Sequence, residues 1–190
     1  MFYFFKSGFF KKIYNVVKNA IKPMETSKNL INNTNFENIS EKDGIFILMC
    51  ANKEKPITGR LVFVKEIFLL AKEIIPQLDS KYQFFPADFG PYSTIFANTV
   101  DELLNKKLIK VEYMVNSFGE PLHRFSLTNN GIIEASKSFD KLSNQLKNTI
   151  IMKRRWWDHL GYTGIVRLVY SKYPNYTIYS KIKGKIKNAD

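Results

Sequence analysis

The chain has 190 residues, 45% of them hydrophobic and 15% aromatic, and a net charge of +12. That length suits one compact domain with appendages and a sizeable core, and the basic excess invites a polyanionic partner. The single cysteine, Cys50, excludes an internal disulfide, and no apolar run approaches the roughly 18 residues of a membrane span.

The charge is uneven. Residues 1–42 carry +4, residues 43–128 are neutral, and residues 129–190 carry +8. A reducing, cytoplasmic setting fits the lone cysteine. The start, "MFYFFKSGFFKKIYNVV", lacks the order of a secretory signal.

In chain order, Phe2, Phe5, Phe9, Ile13, Val16, Val17 and Ala20 recur at helical steps over residues 1–22, opposite Lys11, Asn15, Lys18 and Lys22. Three readings stand for this amphipathic helix: packing on the domain or on a second copy, contact with an anionic membrane surface, or an unstructured extension. Residues 23–42 read as a polar, Asn-rich linker. "GIFILMCANK" predicts a helix capped by Asp43, and "KPITGR" a short extended piece. Thr58 is the expected cap of a helix in "RLVFVKEIFLLAKEII", with Leu61, Val64, Ile67, Phe68 and Ala71 on one apolar face.

"PQLDSKYQFFPADFGPYS" reads as a loop with a dense aromatic end. Pro91 suits the first turn of a helix and Gly90 the bend before it. Phe84, Phe85, Phe89 and Tyr92 then have two readings: a secondary core under the helices, or a partner-binding face that includes Phe89 and Tyr92. "STIFANTVDELLNKKL" predicts a helix capped by Ser93, with Phe96, Val100, Leu103 and Leu104 inward and Thr94, Ala97, Asn98, Asp101 and Glu102 outward. "IKVEYMVN" and "LHRFSLT" alternate as two strands around "NSFGEP". A long helical region, a further helix in "TGIVRLVYSKY" and a basic tail complete the chain.

This order gives a mainly α fold with a small β-hairpin (α+β): a winged helix-turn-helix followed by C-terminal helices. The expected organisation is an amphipathic helix at 1–22, a linker at 23–42, a winged-helix domain at 43–140, a helical segment at 141–182 and a basic tail at 183–190. "DELLNKKLIKVE" and "HRFSLTNNGIIEA" resemble the third helix and wing strands of the PadR and MarR regulators. "GRLVFVKEIFLLAKE…YQFFPADFGPYS", with "YSKYPNYTIYSKI" later, is similar to small prokaryotic winged-helix proteins akin to the Panacea antitoxin domain. In that group a Lys-containing helix precedes an aromatic segment and a Gly-Pro. The matching positions are Lys65 and Gly90–Pro91, and the resemblance spans about residues 44–182. It implies an antitoxin-like role as well as the fold.

The chemistry carries no enzyme signature. His123 and His159 have no metal-ligand spacing, and GxSxG, GxxxxGK[ST] and GxGxxG are missing from the sequence. Asp101 and Glu102 point about 100° apart on a helix. No catalytic residue, metal, cofactor or small-molecule substrate is therefore expected. As a DNA-binding transcriptional regulator, the chain would use Thr94 and Asn98 on the third helix and Lys106, Lys107, Lys110 and Arg124 at the base of the wing. Asp101, Glu102 and Glu120 oppose phosphate. "KRRWWD" supplies a basic-aromatic patch of Lys153, Arg154, Arg155, Trp156 and Trp157, with nucleic acid, a protein partner and simple packing all open. The alternative to DNA binding is an interaction module that holds a toxin-like protein or a second copy.

Overall fold

A computed structural model of the chain describes residues 39–116 and 119–184. The amphipathic helix expected over 1–22, most of the linker and the end of the basic tail lie outside the described residues. The fold is mainly helical with a small antiparallel sheet. No described helix is long and apolar enough to cross a membrane.

Helix α1 (Glu41–Cys50) begins at Ser40. The expected cap, Asp43, instead closes a capping box from inside the first turn: its amide donates to Ser40 Oγ, and its carboxylate accepts from the Ser40 amide at 3.0 Å. Two donors at the helix start are thus satisfied reciprocally. Ser138 Oγ also donates to Asp43 at 2.6 Å and ties in a distant helix.

Strand β1 (Ile57–Thr58) leads through Gly59 into helix α2 (Arg60–Glu73). Thr58 lies in the strand, and Gly59 holds the cap position without a side-chain bond, so the expected Thr58 cap is corrected. The apolar surface of α2 is not one face. Every residue from Val62 to Ala71 is buried, Lys65 and Glu66 included. A helix apolar all round belongs inside a core, and "LVFV" and "IFLL" on either side of Lys65–Glu66 have that character.

The expected loop after α2 is ordered. It holds a short helix α3 (Gln77–Tyr82) and a two-stranded hairpin of β2 (Phe85–Ala87) and β3 (Gly90–Tyr92). Phe85 pairs with Tyr92, Pro86 with Pro91 and Ala87 with Gly90. Pro91 is therefore a strand residue and not the first turn of a helix. Gly90 still supplies the bend, at φ +86 beside the Asp88–Phe89 turn.

Helix α4 (Thr94–Asn105) starts at Ser93, as the sequence predicts. Ser93 Oγ accepts from the Phe96 amide at 3.0 Å and donates to the Tyr82 carbonyl, so one hydroxyl fixes the helix start to α3. Strands β4 (Ile109–Val115) and β5 (Pro121–Leu127) form the expected hairpin. The sheet order is β1-β5-β4, all antiparallel, with Ile57 and Val111 both opposite Phe125.

The long helical region is two helices, α5 (Asn129–Asp140) and α6 (Asn144–Lys172), followed by a 3-10 turn (Pro174–Thr177). Trp156 and Trp157 sit inside α6. The expected separate helix in "TGIVRLVYSKY" continues α6 across a kink at Gly161, whose φ of +62 is left-handed. Helix α6 runs along α2, and Phe68 of α2 meets Phe84, Tyr173 and Tyr176 edge-on at 4.9–5.1 Å. Each such ring buried adds roughly 1.5–3 kcal/mol.

Candidate functional site

The aromatic hairpin lies against the first turns of α2. Arg60, Leu61, Val64 and Lys65 of α2 line an open groove together with residues 85–92, Tyr162 and Tyr179. Its volume is about 760 Å³. The hairpin turn forces this shape: with Asp88 and Phe89 at the tip, Phe89 projects away from the core and is 50% exposed. Phe85 is 44%, Tyr162 53% and Tyr179 67% exposed. The secondary-core reading thus holds for Phe84, which is buried, and is corrected for Phe85 and Phe89. Tyr92 is half-buried and meets Phe85 edge-on at 5.7 Å.

Lys65 borders the groove and is fully buried. Its Nζ donates to the Pro91 carbonyl at 3.0 Å. Burial pulls its pKa down to about 7. Gly90 is needed beside it: a Cβ there would sit 2.9 Å from Tyr170 Cε1 and 3.3 Å from Lys65 Nζ. Asp88 is engaged elsewhere, since its carboxylate pairs with Lys181 and its carbonyl accepts from the Lys181 amide at 2.8 Å.

The basic-aromatic patch does not form one surface. Arg154 and Trp157 are fully buried. The Arg154 guanidinium contacts Glu66 at 3.1 Å, pairs with Asp158 and reaches the Lys55 carbonyl at 3.4 Å. Asn52 also donates to Asp158 at 2.6 Å. Burial pushes the Glu66 carboxyl up, and Arg154 offsets only part of that. Lys153 pairs with Glu73 at 3.3 Å and lies 5.4 Å from the Trp156 ring. Lys172 joins the same Glu73 at 2.8 Å, stitching α6 to α2. Only Arg155 of the five stands exposed. Buried cations of this kind are structural, because truncating one leaves a carboxylate stranded.

The residues expected to meet DNA are arranged differently. Thr94 and Asn98 are exposed on α4, as predicted, whereas Ala97 is buried. Lys106 pairs with Glu102 one turn away. Lys110 and Arg124 both face Glu112, at 2.9 and 3.9 Å. Lys107 and Lys110 border a shallow depression with Thr128, Asn129 and Asn130. Three of the four expected phosphate-binding cations thus carry a carboxylate neighbour. His123 stacks on Phe125 and meets Tyr113 edge-on in the sheet, and His159 is exposed. Among the described residues no cluster of His, Cys, Asp or Glu has the arrangement of a metal site.

Phe89 and Tyr92, singled out from the sequence, line the groove together with Arg60, Tyr162 and Tyr179, which were not. Tyr162 had a local signal, because it follows the kink glycine. Tyr179 comes from chain folded back after Pro174, which no periodicity reveals.

No protein-family model matches the chain, and no curated protein matches it.

Proposed function

We propose that this chain is a non-enzymatic winged-helix protein that holds a protein partner in its aromatic groove, in the manner of an antitoxin. The order α1-β1-α2, then α4 and the β4–β5 hairpin, with β1 completing the sheet beside β5, matches how a winged helix is built. In that reading α4 is the recognition helix and β4–β5 is the wing. The hairpin carrying the groove is inserted between the second and third helices of that scheme.

The observation that carries the proposal is the row of exposed rings. Phe85, Phe89, Tyr162 and Tyr179 surround one groove, and clustered exposed aromatics mark interaction sites. The fitting occupant is an apolar segment of an acidic protein. Charge favours it, since the chain's net charge is +12 and two of its cations, Arg60 and Lys65, line the groove. A second copy would bring a like charge.

The test compares native and Phe89→Ser chains. A captured protein is identified, purified and titrated against both. The proposal expects affinity to fall at least about tenfold in the variant with unchanged melting, because an exposed anchor costs binding and not folding. Equal affinity for both chains overturns it, as does capture of nothing but further copies of the chain.

A second reading, a DNA-binding regulator, has one supporting feature: Thr94 and Asn98 are exposed side by side on α4. Strongly salt-dependent binding to its own upstream DNA would favour it.

A further inference from the structure

Two cations are wholly buried among the described residues, and the chain treats them differently. Arg154 has Glu66, Asp158 and a main-chain carbonyl around it. Lys65 has the Pro91 carbonyl alone. An ammonium carries three donors, and a buried charge without a counter-ion is costly. A packing role does not explain it. Leucine or methionine would fill the same space in α2 without that cost. Lys65 also borders the groove, which gives an anion a route to it.

The groove is built to favour that anion. Its volume of about 760 Å³ falls in the range of binding clefts, mostly apolar with a few fixed polar groups. The carboxylate in its wall, Asp88, is held by Lys181 at the rim. Arg60 adds a second cation at the mouth.

We infer that Lys65 is the anchor for a carboxylate side chain of the partner, set within an apolar stretch that the surrounding rings receive. The inference rests on the partner reading and names the chemistry of what that partner presents. A carboxylate brought to the ammonium forms a charge-assisted hydrogen bond in a site already sheltered from water. The cost of burying the ammonium is already borne by the folded chain, so the bond adds to affinity.

The same geometry sets a pH dependence. With its pKa near 7, free Lys65 loses its proton as the pH rises through neutrality, and the carboxylate then loses its counter-charge. The other groups facing the site are Arg60 on α2, Asp88 and Tyr92 on the hairpin, Tyr162 and Tyr170 on α6, and Tyr179 and Lys181 beyond it. None of these residue types ordinarily titrates between about pH 6 and pH 9.

The probes are two dye-labelled peptides, acetyl-Phe-Leu-Glu-Leu-Phe-amide and its Gln counterpart, titrated by fluorescence anisotropy against the full chain. At about pH 6.5 the Glu peptide is expected to bind at least about tenfold tighter, and that preference should shrink about tenfold by pH 8.5. Lys65→Met should abolish the preference. Equal affinities at low pH overturn the inference, as does a preference indifferent to both pH and Lys65→Met, or no binding of either peptide. Should Lys65→Met not fold, the pH series on the native chain decides alone. Equal affinities that both drop with Phe89→Ser remove the carboxylate seat and leave the partner groove standing. Equal affinities untouched by Phe89→Ser remove both.

Discussion

The Lys65 ammonium donates to the main-chain carbonyl of Pro91 at 3.0 Å, joining the middle of α2 to the second strand of the aromatic hairpin. The two residues are 26 positions apart in sequence. The glycine gives the amine room, and the proline carbonyl receives it.

The first prediction follows from that burial. Lys65 has a folded-state pKa of about 7 against an ordinary value near 10.5, so between those limits the unfolded chain binds the extra proton. Stability from this group is therefore greatest above its unfolded pKa and is lost as the pH falls toward 7. Relative to Lys65→Met, the native chain should gain on the order of a few kcal/mol between pH 7 and pH 10. Urea melts of both chains across that range measure the difference, and parallel curves would contradict the assignment.

Gly90 gives the second. Its φ of +86 and the 2.9 Å approach to Tyr170 leave no space for a side chain. Gly90→Ala should cost about 1–3 kcal/mol through strain and a forced shift of Tyr170. Thermal melts with circular dichroism read this out, and a neutral result would mean that the hairpin turn differs from the one described.

The third concerns the buried cation cluster. Arg154→Met strands Glu66 and Asp158 and should cost about 3–5 kcal/mol, as loss of one partner in a buried pair does. The double change Glu66→Leu with Arg154→Met should recover part of that loss. Denaturant melts of both variants test the coupling, and equal additive losses would contradict it.

Arg154 and Trp157 also mark where the sequence stops being readable. Their neighbours suggest a basic-aromatic surface, but burial depends on which face of α6 meets α2, and that is set by a helix some 90 residues earlier. Lys65 was legible only as a resemblance. Helical periodicity places it near the middle of α2 and is silent on burial, because α2 is apolar on every side. The capping serine of α4, the two hairpin strands and the extended piece before α2 were read correctly from local chemistry. The loop was misread because two prolines and a glycine in ten residues suggest a turn, whereas here Pro86 and Pro91 sit opposite each other and tolerate pairing without donating. The groove itself joins four segments distant in sequence.

The fourth prediction addresses nucleic acid. Lys106, Lys110 and Arg124 are offset by Glu102 and Glu112. Changing Lys106, Lys110 and Arg124 to Ala should therefore leave affinity for the chain's own upstream DNA within about threefold, against the larger loss expected of a recognition surface. Anisotropy titrations at two salt concentrations provide the comparison. A steep loss would favour the regulator reading.

The central claim is that exposed rings on the inserted hairpin hold a protein partner. Its most direct measurement is the dissociation constant of the purified partner for the native chain and for Phe89→Ser and Tyr92→Ser, with melting temperatures recorded alongside. Phe89→Ser should bind at least about tenfold more weakly at an unchanged melting temperature, and Tyr92→Ser, which removes a half-buried ring, should lose less binding and also lower the melting temperature. Unchanged affinity in both variants, or a loss that tracks unfolding alone, would contradict it.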